Sequence, residues 1–155
     1  MIDRCEMISD ETAMLAALEQ ARLAGEAGEV PVGAVLVQGG AIVARGQNHV
    51  LRDLDPTAHA EVIALRAGAA VIGNYRLSGC TLYTTLEPCA MCAGALIHAR
   101  VARLVFATPD PKAGAVGSVL SVVNHDKLNH QMLVDQGVMG EEAGDLLRSF
   151  FRERR

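Results

Sequence analysis

The sequence predicts an α/β protein: a three-layer α/β/α sandwich built on a mixed five-stranded sheet, with helices on both faces. Three observations carry this. The apolar run "VPVGAVLV" stops at Gly39-Gly40 and returns as "AIVARG", the pattern of a β-hairpin. After it, stretches with helically spaced apolar residues alternate with short β-rich runs, as layered α/β proteins require. No repeat, low-complexity tract or linker divides the chain, and its 155 residues, half of them hydrophobic, suit a single domain over residues 1–155.

The elements follow in order. Residues 9–25 read as a helix, with Ser9 as its cap and Leu15, Leu18 and Leu23 spacing an apolar face. Val32 to Val37 and Ala41 to Gly46 are the two hairpin strands. A polar loop spans 49–57, and Thr57 is placed to cap a second helix that Gly73-Asn74 ends. Cys80 to Leu86 is a strand. Pro88 suits the first turn of a third helix ending near His98. Val101 to Ala107 is another strand, and "TPDPKAGAVGS" a loop. A short helix is expected at 118–123, a final edge strand at 132–134 and a closing helix from Glu141 to Arg152.

Charge and hydropathy exclude several classes. The formal net charge of −4 argues against a general nucleic-acid binder, which needs positive charge against phosphate, although a local patch suffices. The densest basic run, "RSFFRERR", reads on charge alone as a solvated helix end whose cations suit the helix dipole. Apolar runs fall well short of the roughly 20 residues that span a bilayer. The N-terminus lacks an apolar core of signal-peptide length. The expectation is a cytoplasmic protein with no membrane partner, in which Cys-x-x-Cys points to metal or redox chemistry rather than disulfides.

Chemistry concentrates in two places. "TAHAEV" carries His59 and Glu61; "LEPCAMC", about thirty residues on, carries Cys89 and Cys92. Each pair opens a helix, and residues three apart on a helix share a face, so the two sulfurs can aim at one point. One imidazole and two thiolates make three zinc ligands, and a catalytic zinc site keeps its fourth position for water. Helix N-termini offset negative charge and depress thiol pKa values. Glu61 is then free to move protons near that water. Taken singly, each element has a plainer reading. A Cys-x-x-Cys is a redox pair or half a structural zinc site, with Cys5 or Cys80 as the further ligand. His49, His98, His125 and His130 read as structural or surface residues. The combination of His-x-Glu with Pro-Cys-x-x-Cys favours the catalytic metal site.

The combined pattern H-x-E…P-C-x-x-C is the signature of zinc-dependent nucleobase deaminases. With "EVPVGAVLV", "DPTAHAEVIALR", "NYRL", "TLYTTLEPCAMCAGALIHARVARLVF", "DPKAGAVGS", Asn129-His130 and "FFRERR", the chain resembles the bacterial tRNA adenosine deaminases from about residue 11 to its end. That resemblance implies a cytidine-deaminase-like fold, one zinc ion (Zn2+) per subunit on His59, Cys89 and Cys92, and Glu61 as proton carrier. It implies conversion of adenosine to inosine at the wobble position of a tRNA anticodon stem-loop, by a homodimer. It places Asn48 in hydrogen bond to the base, with Val32, Ala60 and Leu86 around it. It puts Asp110 against the RNA strand, with Lys112, His130, Phe151 and Arg152 as further contacts. The chain departs from that family at Pro109 and Gln131, each standing where a cation is common. A deaminase of a free base such as guanine or cytosine is the alternative.

Overall fold

The computed structural model describes residues 7–154, so Cys5 and Arg155 lie outside the described part. In chain order the elements are α1 (Asp10–Glu26), β1 (Gly33–Gln38), β2 (Ala41–Gln47), α2 (Ala60–Ile72), β3 (Thr81–Leu86), α3 (Ala90–His98), β4 (Arg103–Thr108), β5 (Leu133–Gln136) and α4 (Gly140–Glu153). The strands form one mixed sheet in the order β2-β1-β3-β4-β5. β1 runs antiparallel to both β2 and β3, whereas β3, β4 and β5 are parallel.

Side chains alternate across a strand, and this divides the core in two. Ala34, Leu36, Leu82, Leu104 and Phe106 pack on the face covered by α2 and α3, with Ala64, Ala93 and Leu96. Val35, Val37, Tyr83, Val105 and Ala107 pack on the other face, against Met14, Ala17 and Leu18 of α1 and Ala143 of α4. The central strands are thus apolar on both faces, which is why they read as unbroken hydrophobic runs. Met14 is fully buried, and truncating such a side chain to alanine costs about 2–5 kcal/mol. Helix α2 lies so close to β2 that a side chain at Gly46 would overlap the Ala60 carbonyl and the Ala64 amide, so only glycine fits there.

The register sets up the site. Gly33 pairs with Gln47, Ala34 with Thr84, and Leu86 with Thr108. The residues just outside these pairs are Val32, Asn48, Glu87 and Pro109, so four segments emerge side by side at one edge of the sheet. The opposite end is closed by an ion-pair network. Arg103 donates to both carboxylate oxygens of Asp10, each at 2.8 Å, and its Nε donates to Asp135 at 3.0 Å. The Tyr83 hydroxyl donates to Asp10 at 2.7 Å. These bonds fasten the start of α1 to β3, β4 and β5.

Three local expectations are corrected. Thr57 does not cap α2: its hydroxyl and amide both donate to Asp55, which keeps it in the loop, and His59 is the N-cap. Pro88 lies before α3 rather than in its first turn, and Cys89 is the N-cap. Residues 118–123 form no helix. The Val119 and Leu120 amides both turn back to the Gly114 carbonyl, Val116 bridges Ser121, and the Ser118 amide is taken by Glu87. By contrast Ser9 does cap α1, accepting from the Thr12 amide. Among the described residues, no helix is long and apolar enough to cross a membrane.

Candidate active site

The two N-caps explain themselves. His59 (φ −77°, ψ 152°) and Cys89 (φ −72°, ψ 177°) hold the extended backbone of a capping residue, yet neither side chain caps its helix. Both turn instead to a common point. His59 Nδ1 lies 3.7 Å from Cys89 Sγ and 3.5 Å from Cys92 Sγ, and the donor atoms of all three residues fall within 4.8 Å of one another. Zinc–sulfur bonds of about 2.3 Å and zinc–nitrogen bonds of about 2.0–2.1 Å at a tetrahedral angle put sulfur and nitrogen about 3.5 Å apart. The spacing therefore fits one zinc ion. Cys80 is not part of the cluster: it sits fully buried in the core beside Leu82 and Leu77.

Electrostatics agree with that donor set. Hydrogen bonds from Cys92 and His59 draw the Cys89 thiol down to about 3. The hydrogen bond to Cys89, with burial, pushes Cys92 far up. Two thiols this close cannot both ionise without a cation between them, which is what a bound metal supplies. The bond to Cys89 also raises His59. Glu61 is 4% exposed, and burial pushes its carboxyl above the usual carboxylate range.

All of these except the fully buried Cys92 line a pocket of about 580 Å³, a size that suits a small-molecule or nucleoside ligand. His59, Glu61 and Cys89 form its floor. Val32, Asn48, Leu86 and Asp110, from the four segments at the sheet edge, join them. Asn48 bridges two of these segments: Oδ1 accepts from the Ala60 amide at 2.9 Å and Nδ2 donates to the Val30 carbonyl at 3.0 Å. A carboxamide has two donors and two acceptor sites, so Asn48 keeps one of each for a ligand.

With this geometry in place, residues 7–108 match the cytidine and deoxycytidylate deaminase zinc-binding region. The chain belongs to this deaminase family. It is 52% identical, over 94% of its length and 85% of the relative's, to the tRNA-specific adenosine deaminase of Haemophilus influenzae. Its fold superposes with a TM-score of 0.84, at 43% identity, on a tRNA:A34 deaminase studied for A-to-I editing at the wobble position of transfer RNA, covering 87% of this chain and 98% of that one. It superposes with a TM-score of 0.79, at 28% identity, on the guanine deaminase of Nitrosomonas europaea, covering 93% and 85%. The expected cytidine-deaminase-like fold and zinc site are therefore those of this chain.

Not every residue singled out in the sequence enters the deaminase pocket. Ala60 is fully buried and reaches the site only through its amide. Lys112 points its amide at Asp110 while its side chain is exposed outside the lining. His130 hydrogen-bonds the Val101 carbonyl at 2.6 Å and lines a separate hollow with Arg76, His98 and Arg100. Phe150 of α4 and Arg154, the C-cap of that helix, line the pocket, and the exposed Phe151 and Arg152 lie outside the lining. Phe150 is buried, and the Arg154 guanidinium lies 3.5 Å over its ring.

Two buried carboxylates were not anticipated. Glu29 accepts from the Leu51 and Arg52 amides at 3.0 and 2.9 Å and from Arg52 Nε at 3.1 Å. Burial acts to raise it, but these donors hold it below the usual range. Glu87, 2% exposed, accepts from the amides of Asp110, Val116 and Ser118 and from the Ser118 hydroxyl. Each carboxylate fastens one loop of the pocket wall. For Glu87 the signal was its place inside "LEPCAMC". Glu29 sits inside "EVPVGAVLV" but has no local pattern that marks it.

Proposed function

We propose that this deaminase converts adenosine to inosine at the wobble position of a tRNA anticodon, releasing ammonia. The observation that carries it is a single pocket in which Glu61 and the His59–Cys89–Cys92 donor set face Asn48, Val32 and Leu86. The 52% identity to a tRNA-specific adenosine deaminase supports this substrate over a free base.

A zinc ion held by His59, Cys89 and Cys92 supplies a Lewis acid that makes water a usable nucleophile near neutral pH. Adenine reaches the pocket only when flipped out of its stack, at a cost on the order of a few kcal/mol. Asn48 uses its spare donor and acceptor to fix the ring. Val32 and Leu86 give the ring an apolar seat that excludes bulk water. Glu61 takes a proton from the water that adds to C6 and passes it to N1. It carries the second proton to the amino group, which leaves as ammonia, and the C6 carbonyl of inosine remains. The buried position of Glu61 keeps those protons from exchanging with solvent.

The RNA strand lies outside the pocket. Asp110 stands at its rim, and the exposed side chains of Lys112, Phe151 and Arg152, with His130, offer the further contacts. Residues 1–155 act as a single domain, in the cytoplasm, as a homodimer. Exposed Val71, Tyr75 and Met91, on and beside α2 and α3, support an interface between two copies.

The test is nucleoside mass spectrometry after incubating zinc-loaded protein with an anticodon stem-loop carrying a wobble adenosine. Inosine from the stem-loop, absent with Glu61→Ala at equal zinc content, is the expected result. Ammonia from free guanine, cytosine or adenosine with no inosine in the RNA would replace this reading with a free-base deaminase.

A further inference from the structure

We infer that Glu87 is the positioning residue for the outer wall of the pocket, and that through this wall it sets how tightly the RNA substrate is held. The inference rests on the function proposed above. Its basis is the pattern of hydrogen bonds. Glu87 stands between Leu86, the last residue of β3, and Pro88-Cys89, which leads into α3. Its own amide donates to the Thr108 carbonyl at 2.9 Å, continuing the pairing of β3 with β4 past the end of the sheet. Its carboxylate takes three amides and one hydroxyl, all from residues 110–118: Asp110 N at 3.1 Å, Val116 N at 2.9 Å, Ser118 N at 3.2 Å and the Ser118 hydroxyl. The Ala115 amide donates to the Pro88 carbonyl at 2.8 Å. The loop is therefore wound around a side chain that belongs to the metal-ligand segment.

The fit is close. A Cβ at Gly114 would overlap the Glu87 carboxyl group, and Gly114 has no left-handed backbone to require glycine. Space alone excludes a side chain there. The arrangement is nested outward. Glu87 holds the Asp110 backbone, and the Asp110 carboxylate in turn accepts from the Lys112 and Ala113 amides at 3.0 and 3.3 Å. Asp110 and Ala113 are the loop residues that line the pocket. Because Glu87 and Pro88 hold the backbone of this loop, one buried carboxylate helps set how far its part of the lining stands from Cys89. Glu87 itself needs no contact with the substrate.

Glu87→Gln tests this. The amide keeps the volume but turns an NH2 group toward N–H donors, so part of the wall loses its acceptor. Three readouts are made: zinc content, steady-state kinetics on the anticodon stem-loop, and hydrogen exchange of the 110–118 amides. Unchanged zinc, a KM raised about tenfold with kcat within about threefold, and faster exchange at Asp110, Val116 and Ser118 are expected. Gly114→Ala leaves Glu87 intact and pushes the loop off it, so it should give the same signature. The double variant should be no worse than the worse single one, because both loosen one contact. An unchanged KM with a falling kcat, lost zinc, or unaltered exchange would each overturn the inference. Should wild-type protein fail to edit the stem-loop, the substrate reading falls, and the exchange and zinc measurements still decide the role of Glu87.

Discussion

The entrances to α2 and α3 are built alike and work differently. Each begins on an N-cap that gives its side chain to the metal-ligand cluster, His59 in one and Cys89 in the other. Each has a buried glutamate two residues away, Glu61 inside α2 and Glu87 ahead of α3, with 4% and 2% of their surface exposed. Their carboxyl groups nevertheless move in opposite directions. For Glu61, burial outweighs its own amide, the nearby His59 and the Cys92 thiol, and the group is raised. For Glu87, the Ser118 hydroxyl and three amides outweigh burial, and the group is lowered. Burial alone therefore does not assign a role. A buried carboxylate held by several donors of one loop fixes structure, and one that lines the pocket beside the metal-ligand cluster is placed to handle protons.

That contrast can be broken at several levels. The largest effect should come from removing what the two entrances share. Chelating the zinc, or replacing Cys89 by alanine, should abolish deamination and lower the melting temperature; measurable turnover at zero metal content would mean the cluster is not the reaction centre. Next is Glu61→Gln. If Glu61 moves protons and bears little of the fold, kcat/KM should fall about 10²- to 10⁴-fold while zinc content and thermal stability hold. A melting temperature that dropped along with the activity would erase the distinction from Glu87.

Glu29 sharpens the comparison as a second carboxylate of the filled kind. Glu29→Gln leaves the Leu51 and Arg52 amides and the Arg52 guanidinium short of an acceptor, and denaturant titration should register a loss of about 1–3 kcal/mol. The smallest effect lies at the far end of the sheet. The bidentate bond from Arg103 draws Asp10 from its ordinary 3.8 down to about 2. A lowered carboxylate stabilises the fold above its unfolded-state value and loses that contribution as pH falls through the folded one. The stability gap between wild type and Asp10→Asn should thus be constant above about pH 4 and close between about pH 4 and pH 2. Because Asp10 is partly exposed, the gap should also narrow in salt.

The three residues of the metal-ligand cluster and the glutamate beside it were legible because their chemistry is unusual and their spacing is local. His-x-Glu and Cys-x-x-Cys each occupy less than one helical turn, so neither pattern depends on distant contacts. The strands were legible for a similar reason, since hydrophobicity and β-branching are carried by each residue. What failed in the sequence was decided by partners elsewhere. Thr57 is a good capping residue, but Asp55 claims its hydroxyl. Residues 118–123 form no helix: the Val122 amide goes to the Ala115 carbonyl instead of the Ser118 carbonyl, and Val116 bridges Ser121. That Phe150 and Arg154 line the pocket was likewise not legible, because the seating of α4 is set by packing its Ala143 face on β4 and α1.

The sequence by itself determined the order and kind of the elements, apart from the helix expected at 118–123, together with the donor set for the metal and the carboxylate beside it. All of these follow from side-chain chemistry read within a few residues. Only the tertiary structure decided that Val32, Asn48, Glu87 and Asp110 would meet at one edge, because that depends on the strand order β2-β1-β3-β4-β5. It alone gave Glu29 and Glu87 their work. A glutamate in the sequence is simply an acidic residue. It becomes the anchor of a loop when the fold removes it from water and brings backbone amides, many positions away, to its oxygens.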